Sequence, residues 1–221
     1  MTRGKFITLE GGEGTGKSTQ ARRLADRLKE HGIACVLTRE PGGSTVAEII
    51  RHVILSGAAK PLGAEAETML FAAARDDHLV QTIRPALERG EWVICDRFAD
   101  STRVYQGVLG EVDPRMIKRL ERIIVGDTKP DLTLVLDMPA QAGLARARSR
   151  QGAGPSDRFE SEGLAFHEKL REAFRQLAML EPDRCRLIDA SGSADEVAAD
   201  IWSVVEGKLG RAIPLAQDVG H

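Results

Sequence analysis

Cysteine is scarce in this chain. The three present, Cys35, Cys95 and Cys185, form no Cys-x-x-Cys pair. A disulfide framework or a thiolate metal site is therefore not expected. Each cysteine falls in a stretch that reads as strand, as a small buried hydrophobe in a reducing cytoplasm would. Apolar runs long enough to cross a bilayer are missing, so no membrane segment is expected. A basic excess is missing too: the formal net charge is −2, which argues against nucleic acid as the main partner. Residues 1–5 run straight into a strand-like segment and leave no room for a signal peptide, so a cytoplasmic protein is expected. No internal repeat or low-complexity tract stands out. The 221 residues, 42% of them hydrophobic, suffice for one packed domain over about 1–210 and are too few for two. The tail 211–221 has no periodicity and is expected to fray.

What the chain does contain is Gly11-Gly12-Glu13-Gly14-Thr15-Gly16-Lys17-Ser18. This fits G-x-x-x-x-G-K-[ST], the phosphate-binding loop. Its context is right on both sides. Phe6-Ile7-Thr8-Leu9 reads as a strand, and Ala21, Leu24, Ala25 and Leu28 recur at helical spacing. Glycines let successive backbone N–H groups turn toward one anion, and the helix adds its positive end. Lys17 supplies a point charge for the outer phosphates and Ser18 a hydroxyl for Mg²⁺. The nucleoside triphosphate site is accordingly expected over residues 11–18, with Thr19 next to it.

Strand-like and helix-like segments alternate throughout, which predicts a parallel sheet covered on both faces. Further strands are expected at Ile33–Thr38, Trp92–Cys95, Leu132–Leu136 and Cys185–Asp189. Arg39-Glu40-Pro41-Gly42-Gly43 follows the second strand. Ligands of open α/β sheets bind at such carboxyl ends, so Arg39 is placed for an anion, yet Pro-Gly-Gly is also an ordinary turn. Phe71 and Arg75 share a helix face, which by residue type reads as a core Phe beside a surface Arg. His78 reads as a surface histidine. Asp96 and Arg97 end the third strand, where an acid can serve the metal and an arginine can clamp a phosphoryl group.

Thr128-Lys129-Pro130-Asp131 has the form of a guanine reader but precedes a strand instead of following one, so no guanine specificity is expected. Asp113-Pro114, Pro139 and Ser161 read as helix starts, and Ser193 with Glu196 as a capping box. Arg146, Arg148, Arg150 and Arg158 flank a Gly/Pro-rich turn. They read either as a lid over phosphates, about 146–160, or as a solvated basic helix end; beside a phosphate loop the lid is favoured.

These segments together resemble the thymidylate kinase family over about residues 5–207. The resemblance is carried by Leu9-Glu10-Gly11 with the phosphate loop, Thr38 to Gly43, Phe71 to Arg75, Asp96-Arg97-Phe98, Ser101-Thr102 with Tyr105-Gln106-Gly107, Pro130 to Leu134, and Asp157 to Glu160. It implies a three-layer P-loop fold with a five-stranded parallel sheet, a homodimer, and transfer of the γ-phosphoryl of ATP to dTMP with Mg²⁺. It implies that Arg39 and Arg97 meet the acceptor phosphate, that Phe71 stacks on thymine, and that Arg75 reaches its O4. Ser101 or Thr102 would meet the base edge, with Gln106 also on the substrate. Tyr105 would exclude a 2′-hydroxyl, and Glu10 and Asp96 would lie near the metal. Lys17, Arg97, Arg150 and Arg158 are the expected catalytic cations. Glu13 is the odd member, because an acid in an anion-binding loop requires cations from elsewhere; the family's class with a basic lid has this feature.

Overall fold

The computed structural model describes residues 3–151, 159 and 162–213, with backbone alone at 150 and 151. In chain order the elements are β1 Phe6–Gly11, α1 Lys17–Glu30, β2 Cys35–Arg39, α2 Thr45–Leu55, α3 Ala64–His78, α4 Arg84–Glu88, β3 Trp92–Asp96, α5 Ala99–Thr102, α6 Pro114–Ile124, β4 Leu132–Asp137, α7 Ala140–Gln151, α8 Leu164–Leu180, β5 Cys185–Asp189 and α9 Ala194–Leu209. Two π-helical stretches, Leu79–Ile83 and Arg103–Leu109, continue α3 and α5. The expected five strands are present, and every pairing is parallel.

The sheet order is β2-β3-β1-β4-β5. Strand order therefore reverses at β1, and the phosphate loop leaves the sheet at that switch point, where ligands of such folds bind. Both faces are covered, so strand residues of both parities are apolar. Ile7, Leu9, Trp92 and Ile94 pack against Leu24, Leu28, Ile201, Trp202 and Val205 of α1 and α9. Phe6, Val93 and Cys95 face the other way, against Leu79, Ile83, Leu87 and Phe98. Farther along that second face, Val135 packs with Leu170, Phe174 and Leu177 of α8.

The helix ends follow local chemistry with small shifts. Asp113 caps α6, and Ser193 with Glu196 forms the expected box on α9. Helix α7 begins at Ala140, one residue beyond Pro139, because Pro139 supplies the carbonyl that the first turn uses. Gly163, not Ser161, is the N-cap of α8; Ser161 lies outside the described residues. Residues 210–212 form a short 3₁₀ turn, and 214–221 lie outside the described residues.

One buried polar network ties the short helix α5 to the far half of the sheet. Arg184 donates to both carboxylate oxygens of Asp100, at 2.6 and 3.0 Å. It also donates to Thr133 Oγ1, which pairs with Thr8 Oγ1 at 2.7 Å. The Asp100 side chain is almost wholly buried, with Arg103 Nη1 at 3.2 Å as its second cation, so removing Arg184 leaves a buried carboxylate under-compensated. Arg184→Met is expected to cost about 3 kcal/mol in urea unfolding, the low end for a broken buried pair. Adding Asp100→Asn to that variant should restore part of the loss; equal stability of wild type and Arg184→Met would remove the pair from the account.

Candidate active site

The phosphate loop is shaped by glycine where nothing else fits. Gly11, Gly14 and Gly16 hold φ of 129°, 71° and 91°, backbone that other residues adopt at a cost. At Gly14 a Cβ would also overlap the carbonyl of Gly143, so the loop lies directly against α7. Helix α1 starts at Lys17 with no side-chain cap and no acid in its first turn. Its N-terminal N–H groups are thus arranged for an external anion. Thr15 Oγ1 donates to the Gly12 carbonyl at 3.0 Å and Lys17 Nζ to the same oxygen at 2.6 Å. Burial and then Arg97 push the Lys17 ammonium down from its ordinary value, while Glu13 and Asp96 oppose them.

Arg97 joins the loop to the rest of the site. It follows β3 in the left-handed region, φ 70°, which is strained for a non-glycine residue. Its N–H is bonded to Leu9 O at 2.9 Å. Its guanidinium donates to Gly11 O at 3.1 Å and to Glu13 Oε1 at 2.5 Å, and lies 5.2 Å from the centre of the Tyr105 ring. The Tyr105 hydroxyl donates to the same Glu13 oxygen at 3.0 Å. This answers the puzzle of an acid in the loop: its cation comes from β3. Burial alone would raise the Glu13 carboxyl, but Arg97, then Lys17 and Tyr105, outweigh it and hold it at about 2.

Glu10, expected near the metal, has its carboxylate taken up by the start of α5. As an alternate residue of β1 it shares the face of Phe6 and Thr8, is fully buried, and accepts from Phe98 N at 2.8 Å and Ser101 Oγ at 2.6 Å. Burial first, then the Asp100 charge, pushes its carboxyl up to about 7 against those hydrogen bonds. Glu10 therefore anchors the start of α5, and its position on the strand face held the signal. Asp96 and Ser18 do meet: the Ser18 hydroxyl donates to Asp96 Oδ2. These two oxygens fit a hard cation. Among the described residues no group of three or more His, Cys, Asp and Glu could hold a metal.

A cleft of about 250 Å³ runs from Glu13, Gly14, Lys17 and Ser18 past Asp96 and Arg97 to Phe71, Arg75, Thr102 and Gln106. Arg39, Ser101 and Tyr105 line it as well. The surface reading of Arg75 is overturned. It is 6% exposed, because Glu40, 35 residues earlier in the chain, accepts from its Nε at 2.8 Å. Its Nη2 donates to Phe98 O and Thr102 Oγ1. His78 is not a surface residue either: it is fully buried, between Thr38 and Glu40. Arg39 donates to both carboxylate oxygens of Glu48 from the rim, and Gln106 donates to Glu67.

The sequence reading missed Glu40, Pro41, Arg51, Leu55 and Phe159 on the cleft wall. Arg51 and Leu55 are four apart on α2, so one face of that helix was already available as a signal. Arg146 is not free to act as a lid arginine: it donates to the carbonyls of Ala190 and Ser191, both at 2.9 Å, tying α7 to the loop after β5. Arg158 and the side chain of Arg150 lie outside the described residues.

The Glu13 pair gives a pH dependence with a fixed sign. Its folded pKa, about 2, lies below its ordinary 4.5, so the stability it contributes is complete above about pH 5 and fades as pH falls toward 2. The shift corresponds to about 3 kcal/mol. Glu13→Gln should show that deficit in urea melts at neutral pH. The gap to wild type should narrow below about pH 4; a gap constant down to pH 3 would contradict the pairing.

The family model for thymidylate kinase matches residues 9–201. The chain is 59% identical over 207 residues to a thymidylate kinase of Bradyrhizobium diazoefficiens, covering 94% of this chain and 91% of that one. It is 59% identical over 206 residues to a thymidylate kinase of Nitrobacter winogradskyi, covering 93% and 90%. The crystal structure of thymidylate kinase from Ehrlichia chaffeensis superposes with a TM-score of 0.74 at 31% identity, covering 92% of this chain and 99% of that one. A phosphate loop at the β1 switch point, a strand-end Asp-Arg pair and a buried arginine across the cleft accord with these matches, and the chain belongs to the thymidylate kinase family.

Proposed function

We propose that the cleft takes ATP at the phosphate loop and dTMP at the Phe71–Arg75 end, and moves the γ-phosphoryl group of ATP to dTMP. The products are dTDP and ADP. One observation carries this reading: a single cleft joins the uncapped end of α1 to Arg75, and Arg97 stands where two phosphate chains would meet. A monophosphate already carries about −1.5 to −2 charge near pH 7, so its oxygen needs no strong general base. The bond from the γ phosphorus to the β–γ bridging oxygen breaks as the acceptor oxygen bonds to that phosphorus. Most of the catalysis is then alignment and charge neutralisation.

Lys17 and Arg97 neutralise the oxygens of the moving group, with Arg39 at the rim for the acceptor phosphate. Arg150, near the end of α7, and Arg158, later in the sequence, add cationic charge. The loop amides of residues 11–18, with Thr19, hold the ATP phosphates. Ser18 and Asp96 would hold Mg²⁺, which would supply charge stabilisation to the phosphates. Glu10 serves at one remove, through Phe98 and Ser101. At the base end, Phe71 stacks on thymine. Arg75 has two N–H groups on Nη1 that meet no acceptor among the described residues; a carbonyl oxygen such as thymine O4 suits them. Thr102 and Gln106 border the base. Tyr105, held by Glu13 and edge-on to Phe159 at 5.1 Å between centroids, limits room at the sugar. Three free thiols fit a reducing cytoplasm.

Arg97→Ala should lower turnover on dTMP by about 10³-fold, as loss of a phosphoryl-clamping arginine does. A coupled ADP-release assay reads this, and near-normal turnover would remove Arg97 from the role. The same assay on dTMP, dUMP and the TMP ribonucleotide tests the acceptor. Tyr105→Ala should raise activity on the ribonucleotide relative to dTMP; an unchanged ratio would sink the steric reading.

The exposed face of α2 supports reading the protein as a homodimer. Ala47 and Ile54 face inward, whereas Val46, Ile49 and Val53, at helical spacing, are 48%, 63% and 37% exposed. Met69 of α3 adds to the exposed apolar surface, and a stripe of that kind normally marks an interface. Ile49→Asp should shift sedimentation from dimer to monomer; an unaltered dimer would move the interface elsewhere.

A further inference from the structure

One face of α3 and its π-helical continuation anchors the loop after β2. Arg75, His78 and Thr82 are spaced i, i+3 and i+7, so they point the same way. Arg75 meets Glu40 and Thr82 Oγ1 donates to Gly43 O at 2.8 Å. His78 stands between them. Its Nδ1 lies 3.2 Å from Glu40 Oε1 and its Nε2 lies 2.7 Å from Thr38 Oγ1. A carboxylate only accepts, so Nδ1 carries a proton and donates; a neutral ring then accepts from Thr38 at Nε2. Gly43 packs on the ring so closely that a Cβ there would overlap Nε2 and Thr38 Oγ1. The imidazole thus has one orientation available.

We propose that His78 is a positioning residue for the base-reading arginine, acting through Glu40. The Glu40 carboxylate has one oxygen on His78 and the other on Arg75 Nε. Glu40 is itself 6% exposed, and its N–H is bonded to Asp96 O at 3.0 Å. Fixing one carboxylate oxygen fixes the plane of the other, and so the plane of the guanidinium that donates to it. That guanidinium is pinned a second time by Phe98 O and Thr102 Oγ1, which leaves the Nη1 pair as its recognition edge. Buried polar chains of this kind act as a unit when every member is satisfied. Without the His78 donor, Glu40 Oε1 is unpartnered and the carboxylate can rotate, taking the recognition edge with it.

The proposal rests on Arg75 reading the base, so the test separates the two. The full-length enzyme is assayed with dTMP and dCMP, which differ at the base position Arg75 would face, a carbonyl oxygen or an amino group. His78→Leu should raise KM for dTMP about tenfold and lower the dTMP-over-dCMP ratio of kcat/KM by a similar factor, the worth of one hydrogen bond to a charged group. Turnover at saturation and KM for ATP should stay within about threefold, since the loss is in binding one partner. His78→Asn keeps a donor near the Nδ1 position and should recover most of the loss. Arg75→Lys should collapse the same ratio. Should Arg75→Lys leave the ratio intact, the base-reading assignment falls. If Arg75→Lys collapses it while His78→Leu matches wild type, or if the Asn variant is as poor as Leu, the relay through His78 is overturned. If His78→Leu does not fold, Thr38→Val decides: it frees the ring at Nε2 and should raise KM for dTMP about threefold, and an unchanged KM overturns the proposal.

Discussion

The contact between Arg97 and Glu13 is the constraint around which the site is built. A cleft for two polyanions needs positive charge, and positive charge inside a protein is costly unless balanced. Arg97 is brought in at the end of β3 on left-handed backbone and balanced by Glu13 at 2.5 Å, with the Tyr105 ring against its face. Glu13 in turn accepts from Tyr105. One acid therefore holds the arginine, the tyrosine and the phosphate loop in fixed relation. The loop carries a negative residue because its neighbour is a buried cation, and the acid's depressed pKa keeps it ionised at any pH at which the protein would work.

Behind that pair lies a second shell with the opposite balance. Among the described residues Glu10 has no arginine in hydrogen-bond reach; it has Phe98 N and Ser101 Oγ, with the charges of Asp100 and, more weakly, Arg97 acting on it. Asp100 is in turn neutralised by Arg184, from the far side of the sheet, and by Arg103. Helix α5 is thus held by Glu10 of β1 and through its own Asp100, which is gripped by Arg184, the residue before β5. Four residues could not keep a helical turn on their own; they do so because the sheet supplies the partners.

Sequence alone was enough for whatever is decided locally. The strand, glycine loop and helix at residues 6–30 follow from residue types at fixed spacing, as do the caps at Asp113 and Ser193. The parallel sheet followed from alternation of segments. What stayed hidden depends on contacts distant in the chain. Arg75 and His78 read as surface residues because arginine and histidine usually are, and partners distant in the chain make their burial tolerable: Glu40 for both, Phe98 and Thr102 for Arg75, and Thr38 for His78. The π-helical stretches at 79–83 and 103–109 have no local signature. Glu10 is a different case: the alternation of β1 assigns it to the face of Phe6 and Thr8, but its partners Phe98 N and Ser101 Oγ lie about ninety residues on and leave no local signal.

The carboxyl edge of the sheet shows why position on a fold does not assign a role. Asp96, Asp137 and Asp189 each end a parallel strand there. Asp96 meets the Ser18 hydroxyl and lines the cleft. Asp137 accepts two hydrogen bonds from Arg171 and one from Arg175; burial would raise its carboxyl, and those arginines of α8 bring it below the usual range instead. Asp189 accepts from Ser191 N at 2.9 Å and shapes the turn before α9. All three have the same residue type and the same place at a strand tip. What separates them is the neighbour: a phosphate loop beside β3, a helix with two arginines beside β4, and a bare turn after the edge strand β5. The acid that can serve chemistry is the one whose neighbour is a hydroxyl facing the cleft, because the charge of Asp137 is already neutralised by two guanidinium groups that take three of its roughly four lone-pair sites.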